Sequence, residues 1–183
     1  MEKLGSKASV GPAPSVQGAA APTDRLLRAF NELRDELTST LWFLLGNADD
    51  AQDAVQDVFL KCWRAQPSMA EVRDLRAWIF RVGLNVARDF QRSAWHRRTR
   101  QLTGETVLQS KEPSPAQALE KQEAKERLRQ AIFRLRPEEK EVFLLRQNAN
   151  LTYEEIAQIR RSPVGTVKTQ MRSALQKLRE HLR

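Results

Sequence analysis

The residues best placed to do chemistry are charged and hydrogen-bonding side chains set at helical spacing, not nucleophiles or metal ligands. Thr152–Tyr153–Glu154–Glu155 is a Ser/Thr-x-x-Glu capping box that opens a short helix with Ile156, Ala157 and Ile159 on its apolar side. Arg160 and Arg161 follow, and Ser162–Pro163 restarts a helix with Ser as N-cap and Pro at the first helical position. Val164, Val167, Met171, Leu175, Leu178 and Leu182 give this helix one apolar stripe. Its other face carries Thr166, Lys168, Thr169, Arg172, Ser173 and Gln176, with no carboxylate before Glu180. A short helix, a tight turn and a longer amphipathic helix spell a helix-turn-helix. Donors for base edges and cations for phosphates are what a recognition helix needs.

A second basic concentration spans 71–100, where eight arginines oppose Glu71, Asp74 and Asp89. Trp78, Phe80, Phe90 and Trp95 are interleaved with them, as in surfaces that track a backbone and stack unpaired bases. Trp78 and Phe90 fall on the apolar stripe and read as core. Phe80 and Trp95 lie off it and are the better stacking candidates. Gly83, in the middle of this helix, costs about 1 kcal/mol relative to Ala and so points to a close helix contact. The preceding helix has the opposite sign: Asp49, Asp50, Asp53 and Asp57 crowd its first half, with Gln52 and Gln56. The helix dipole partly explains Asp49 and Asp50. For Asp53, Gln56 and Asp57 the residues alone leave a solvated face and a protein-docking face both open.

Composition removes other classes. The 183 residues carry 31 Lys plus Arg against 23 Asp plus Glu, a net charge of +8, which favours an anionic partner. A single cysteine, Cys62, excludes an internal disulfide framework and a multi-cysteine zinc site. His96 and His181 have no metal-ligand spacing, and no cofactor motif is present. There is no phosphate loop and no nucleophile–base pair, so no catalytic residues are assigned and an enzyme is not expected. No apolar run nears the roughly 20 residues that span a bilayer, and no signal-peptide core opens the chain. The expected location is the cytoplasm, without membrane insertion.

The elements that must position these groups follow from punctuation. Pro12, Pro14, Pro22, Pro67, Pro113, Pro115, Pro137 and Pro163 bound uninterrupted stretches rich in helix formers, and no stretch alternates like a strand. The chain reads as all-α. Residues 1–23, mostly Ala, Gly, Pro and Ser, read as a disordered tail. Residues 101–117, with Gly104, Pro113 and Pro115, read as a flexible linker. Two small helical domains remain, 24–100 and 118–183. In the first, Leu26, Leu27, Phe30, Leu33, Leu37, Leu41 and Leu44 make a helix ended near Gly46. Asp49 or Asp50 caps the next, with Ala51, Ala54, Val55, Val58, Phe59 and Cys62 inward. A third starts after Asp74 with Leu75, Trp78, Ile79, Val82, Val86 and Phe90 inward. In the second domain, Leu128, Ala131, Ile132 and Leu135 define a helix stopped by Pro137, where another begins.

ADDAQDAVQDVFLKCW at 48–63, DLRAWIFRVGLNVARDFQR at 74–92 and LTYEEIAQIRRSPVGTVKTQMRSALQKLR at 151–179 resemble the bacterial extracytoplasmic-function (group four) sigma factors of the sigma-70 family. The resemblance covers 24–183 and implies a non-enzymatic specificity subunit of RNA polymerase, with region two in the first domain and region four in the second. It implies that Asp53, Gln56 and Asp57 dock on the β′ clamp helices, with the β flap as a further polymerase contact. It implies that Phe80, Asn85, Arg88, Arg92 and Trp95 serve recognition and melting of the −10 element, helped by the loop 67–74. At the −35 element Thr166, Lys168, Thr169, Arg172 and Ser173 would face the bases and Arg160 and Arg161 the phosphates. Promoter DNA, core polymerase and an anti-sigma factor wedged between the domains are the implied partners. Arg160–Arg161–Ser162 departs from the family's apolar or glycine turn, and Thr169, Gln170 and Ser173 stand where arginines are often denser. The alternative is a stand-alone helix-turn-helix regulator, which has no need of an acidic docking helix.

Overall fold

The computed structural model describes residues 22–65, 72–100 and 116–182, with side chains over 23–65, 72–93 and 123–182. The described residues form seven helices and no strand: α1 Pro22–Leu45, α2 Ala48–Arg64, α3 Leu75–Arg100, α4 Ala116–Phe133, α5 Pro137–Gln147, α6 Tyr153–Arg160 and α7 Val164–Leu182. Most of the tail, most of the linker and residues 67–71 of the loop before α3 lie outside the described residues.

The helix boundaries follow local chemistry, with several corrections. Helix α1 starts at Pro22, so its first turn takes in the last residues expected to be tail. It ends at Gly46, whose φ of +76° suits glycine and whose N–H donates to the Trp42 carbonyl at 2.8 Å. The cap of α2 is Asn47, not Asp49 or Asp50: its side chain accepts from the Asp49 N–H at 2.9 Å. Asp74 caps α3, accepting from the Ala77 N–H at 2.9 Å. Helix α4 begins at Ala116, two residues inside the expected linker. The apolar stripes of the second half are also narrower than expected. Leu128 on α4 and Leu182 at the end of α7 are exposed, and Leu135 is buried only after α4 has ended.

Helices α1, α2 and α3 pack on one another, and α7 packs on α4, α5 and α6. The approach of α3 to α1 depends on Gly83, where a Cβ would stand 2.9 Å from Leu37 Cδ1. Small side chains on α2 (Ala51, Ala54, Val58) let three helices share one core with Leu26, Leu37, Leu41 and Ile79. The two domains pack against each other. That core continues into Val142, Leu145, Ile156, Val167 and Met171, because α5 touches α1 and α6 touches α3. A smaller cluster of Ala131, Ile132, Leu135, Leu144, Ala174 and Leu178 closes against Phe43 and Leu44 of α1. Cross-half polar contacts line the same boundary: Asn148 Nδ2 donates to Thr40 Oγ1 at 3.2 Å, and Arg76 Nη1 to the Ala149 carbonyl at 3.2 Å.

Candidate DNA and polymerase interfaces

Helices α6 and α7 meet through a three-residue turn. Thr152 and Glu155 satisfy one another's backbone at the start of α6, with Thr152 Oγ1 accepting from the Glu155 N–H at 3.2 Å and Glu155 Oε2 from the Thr152 N–H at 2.7 Å. Arg161 closes α6 in the left-handed region, at φ 53° and ψ 48°, and Ser162 N–H returns to the Ala157 carbonyl at 3.0 Å. Ser162 does not cap α7: its Oγ is buried and makes no hydrogen bond among the described residues. The Pro163 carbonyl accepts the first bond, from the Val167 N–H at 3.2 Å.

Helix α7 buries Val167, Met171, Ala174 and Leu178 and leaves Thr166, Lys168, Thr169, Arg172 and Gln176 exposed. Two residues expected at DNA are engaged elsewhere. Arg160 has a side chain only 7% exposed; its Nε donates to Glu141 Oε2 at 2.9 Å and its Nη1 to Gln170. It follows Ile156 and Ala157 by four and three residues, both buried, so helical geometry turns it inward. Ser173 is half-buried and donates to Glu139 Oε1 at 2.8 Å. Arg161, its neighbour's opposite, is exposed at the turn.

On α3, Asn85 and Arg92 are exposed. Arg92 pairs with Asp89, and its hydrogen bond, ahead of one from Lys61, holds that carboxyl below the ordinary range despite some burial. Phe80 is a correction: it is 1% exposed, a core residue and not a surface for stacking. The physical reason is that α3 is covered over a wide arc. Besides Leu75, Ile79 and Val86, it buries Phe80, Leu84 and Ala87, which a single 3.6-residue stripe does not contain. Trp78 and Phe90 are half-buried against the core. The side chain of Trp95 lies outside the described residues. Arg88 crosses to the other half and forks onto Glu141, Nε to Oε1 at 3.2 Å and Nη2 to Oε2 at 2.9 Å.

Helix α2 keeps Asp53, Gln56 and Asp57 exposed together. The same face continues at helical spacing through Leu60 and Trp63, 45% and 40% exposed, which the sequence reading passed over. Leu60 follows Asp57 by three residues and Trp63 follows Leu60 by three, and that spacing was the available signal. Beneath this face Cys62 is fully buried, and burial pushes its thiol up to about 12, so it holds no reactive thiolate at neutral pH. Among the described residues no cluster of three metal-ligating side chains occurs, and no helix is long and apolar enough to cross a membrane.

Comparison with known proteins places these faces in a family. Residues 29–97 match Sigma-70 region 2 and residues 125–178 match Sigma-70, region 4. The chain is 33% identical over 171 residues to the ECF RNA polymerase sigma factor SigL of Mycobacterium tuberculosis, covering 90% of this chain and 93% of that protein. It is 31% identical over 177 residues to the ECF RNA polymerase sigma factor RpoE of Cereibacter sphaeroides, covering 86% and 93%. The fold is similar to the sigma factor RpoE of Bartonella quintana, solved with the anti-sigma factor NepR, at a TM-score of 0.66 and 26% identity over 87% of this chain and 95% of that one. With both sigma-70 regions in one helical chain and relatives of this identity along nearly its whole length, the protein belongs to the ECF sigma factors of the sigma-70 family, the subunits that bind core RNA polymerase and direct promoter-specific transcription initiation.

Proposed function

We propose that residues 24–100 act as the polymerase-binding and −10 module and residues 118–183 as the −35 module, joined by 101–117, in a group four factor. The observation that carries this is the segregation of exposed chemistry by helix: acidic and apolar on α2, basic and hydrogen-bonding on α7. Asp53, Gln56 and Asp57, extended by Leu60 and Trp63, form the face for the β′ clamp helices, and the β flap meets the second module. Asp53 and Asp57 lie beyond the first turn, where the helix dipole no longer favours carboxylates, so a basic partner supplies the missing compensation.

At the −35 element, Thr166, Lys168, Thr169 and Arg172 approach the bases and Arg161 a phosphate. At the −10 element, Asn85, Arg88 and Arg92 hold the non-template strand. The chain supplies no catalytic group and acts in the cytoplasm with the polymerase. An anti-sigma factor is a further partner, a reading supported by the similarity to a sigma factor solved with one.

The test is Asp57→Arg in the full chain. Because Asp57 is exposed, the variant should fold normally yet lose retention on core polymerase and run-off transcription by at least tenfold. Undiminished retention would remove α2 as the docking face.

A further inference from the structure

Glu141 on α5 sits between the two modules and holds one arginine from each. Arg88 of α3 contributes the forked pair at 3.2 and 2.9 Å, and Arg160 of α6 donates to the same carboxylate at 2.9 Å. The Glu141 side chain is 12% exposed, that of Arg88 38%. Around it the boundary is closed by Asn148 on Thr40, Arg76 on the Ala149 carbonyl, and the Phe133 ring 5.4 Å from Trp42 and 5.5 Å from Phe43.

We propose that Glu141 is an internal latch: it occupies Arg88 as a DNA phosphate would, holds the two modules closed, and releases Arg88 when the promoter strand is engaged. This rests on the assignment of Arg88 to the −10 strand. A carboxylate and a phosphate present the same pair of oxygens to a guanidinium fork, so only one of them can hold Arg88 at a time. Release is feasible because neither partner is stranded. Arg88 is already more than a third exposed and rehydrates, while Glu141 keeps Arg160, whose side chain stays buried in the same half beside Gln170. A largely covered carboxylate with one arginine alone would resist opening, since removing that partner leaves an uncompensated charge. The second arginine makes the contact reversible.

The experiment uses the full chain with a dye pair at Glu32→Cys and Glu180→Cys, both exposed positions, and a single-stranded oligonucleotide as the DNA probe. Buried Cys62 should not take label. Glu141→Gln should lower the transfer efficiency between the dyes and bind the oligonucleotide about tenfold more tightly, with a salt slope steeper by about 0.7 for one released cation. Asn148→Ala removes only the cross-boundary hydrogen bonds to Thr40 and Ser39 and changes no charge, so it should shift both readouts the same way by less. Should Glu141→Gln fail to fold by circular dichroism, Asn148→Ala decides alone. Unchanged transfer efficiency in every variant that folds overturns the latch. The underlying assignment is tested separately: open-complex formation by Arg88→Ala equal to wild type would remove Arg88 from the promoter strand and leave the transfer result standing.

Discussion

Arg161 takes a backbone conformation, φ 53° and ψ 48°, in which a Cβ crowds its own carbonyl. Glycine meets no such penalty, so Arg161→Gly should raise stability by about 1 kcal/mol, read as a higher midpoint in urea. The same change should weaken promoter binding and lower the salt slope by about 1, because a phosphate contact is lost. A gain in stability with unaltered binding would assign Arg161 to neither DNA groove nor backbone. Its neighbour Arg160 shows that adjacency in sequence does not mean adjacency in role: one residue earlier on the helix it faces Glu141 and Gln170. Phe80 makes the complementary point. Phe80→Ala should cost about 3–5 kcal/mol in equilibrium unfolding, the loss of a packed core ring. A defect in promoter melting without any loss of stability would restore it to the DNA surface.

At the scale of elements, Glu139 ties the start of α5 to the middle of α7. It accepts from Lys177 Nζ at 2.7 and 2.8 Å, from Ser173 Oγ at 2.8 Å and from the Arg136 N–H at 3.1 Å. Burial alone would raise its pKa, but these hydrogen bonds outweigh it and hold the carboxyl below its ordinary 4.5. A carboxylate lowered in the folded state adds stability that is fully present above the unfolded value and lost as pH falls through the folded one. The helix-turn-helix should therefore weaken below about pH 4.5, and Glu139→Gln should cost about 1–3 kcal/mol at neutral pH while flattening that acid dependence. An unaltered acid limb in the variant would place the titration elsewhere. The α1–α3 contact makes a steric counterpart. Leucine at Gly83 would drive its side chain into Leu37, with Val58 3.9 Å behind, and should destabilise by more than about 2 kcal/mol.

Across the whole molecule the two halves share a core that runs from Leu26 to Met171, so heat should unfold the wild-type chain in one cooperative transition. Two resolved calorimetric transitions would show that the boundary contributes little. Helix identities and order, the capping box at Thr152, the acidic face of α2 and the helix-turn-helix were all readable from sequence, because each depends on residues within one or two turns of each other. So was the close approach at Gly83, since an uncapped mid-helix glycine has few other uses. The net charge of +8 indicated an anionic partner, and the family resemblance, not the residues alone, turned the acidic helix towards a protein one. What periodicity could not supply was the second surface covering α3 and α5. Phe80 became core, and Arg160 an internal ion pair and Ser173 a donor to Glu139, through contacts between helices, while Arg88 became a bridge to Glu141 because the halves pack together. A stripe of 3.6 residues records which way a helix turns from water within its own bundle. Which of its charges then meets a half-buried carboxylate more than fifty positions away is decided by tertiary packing, since no local residue spacing encodes that distance.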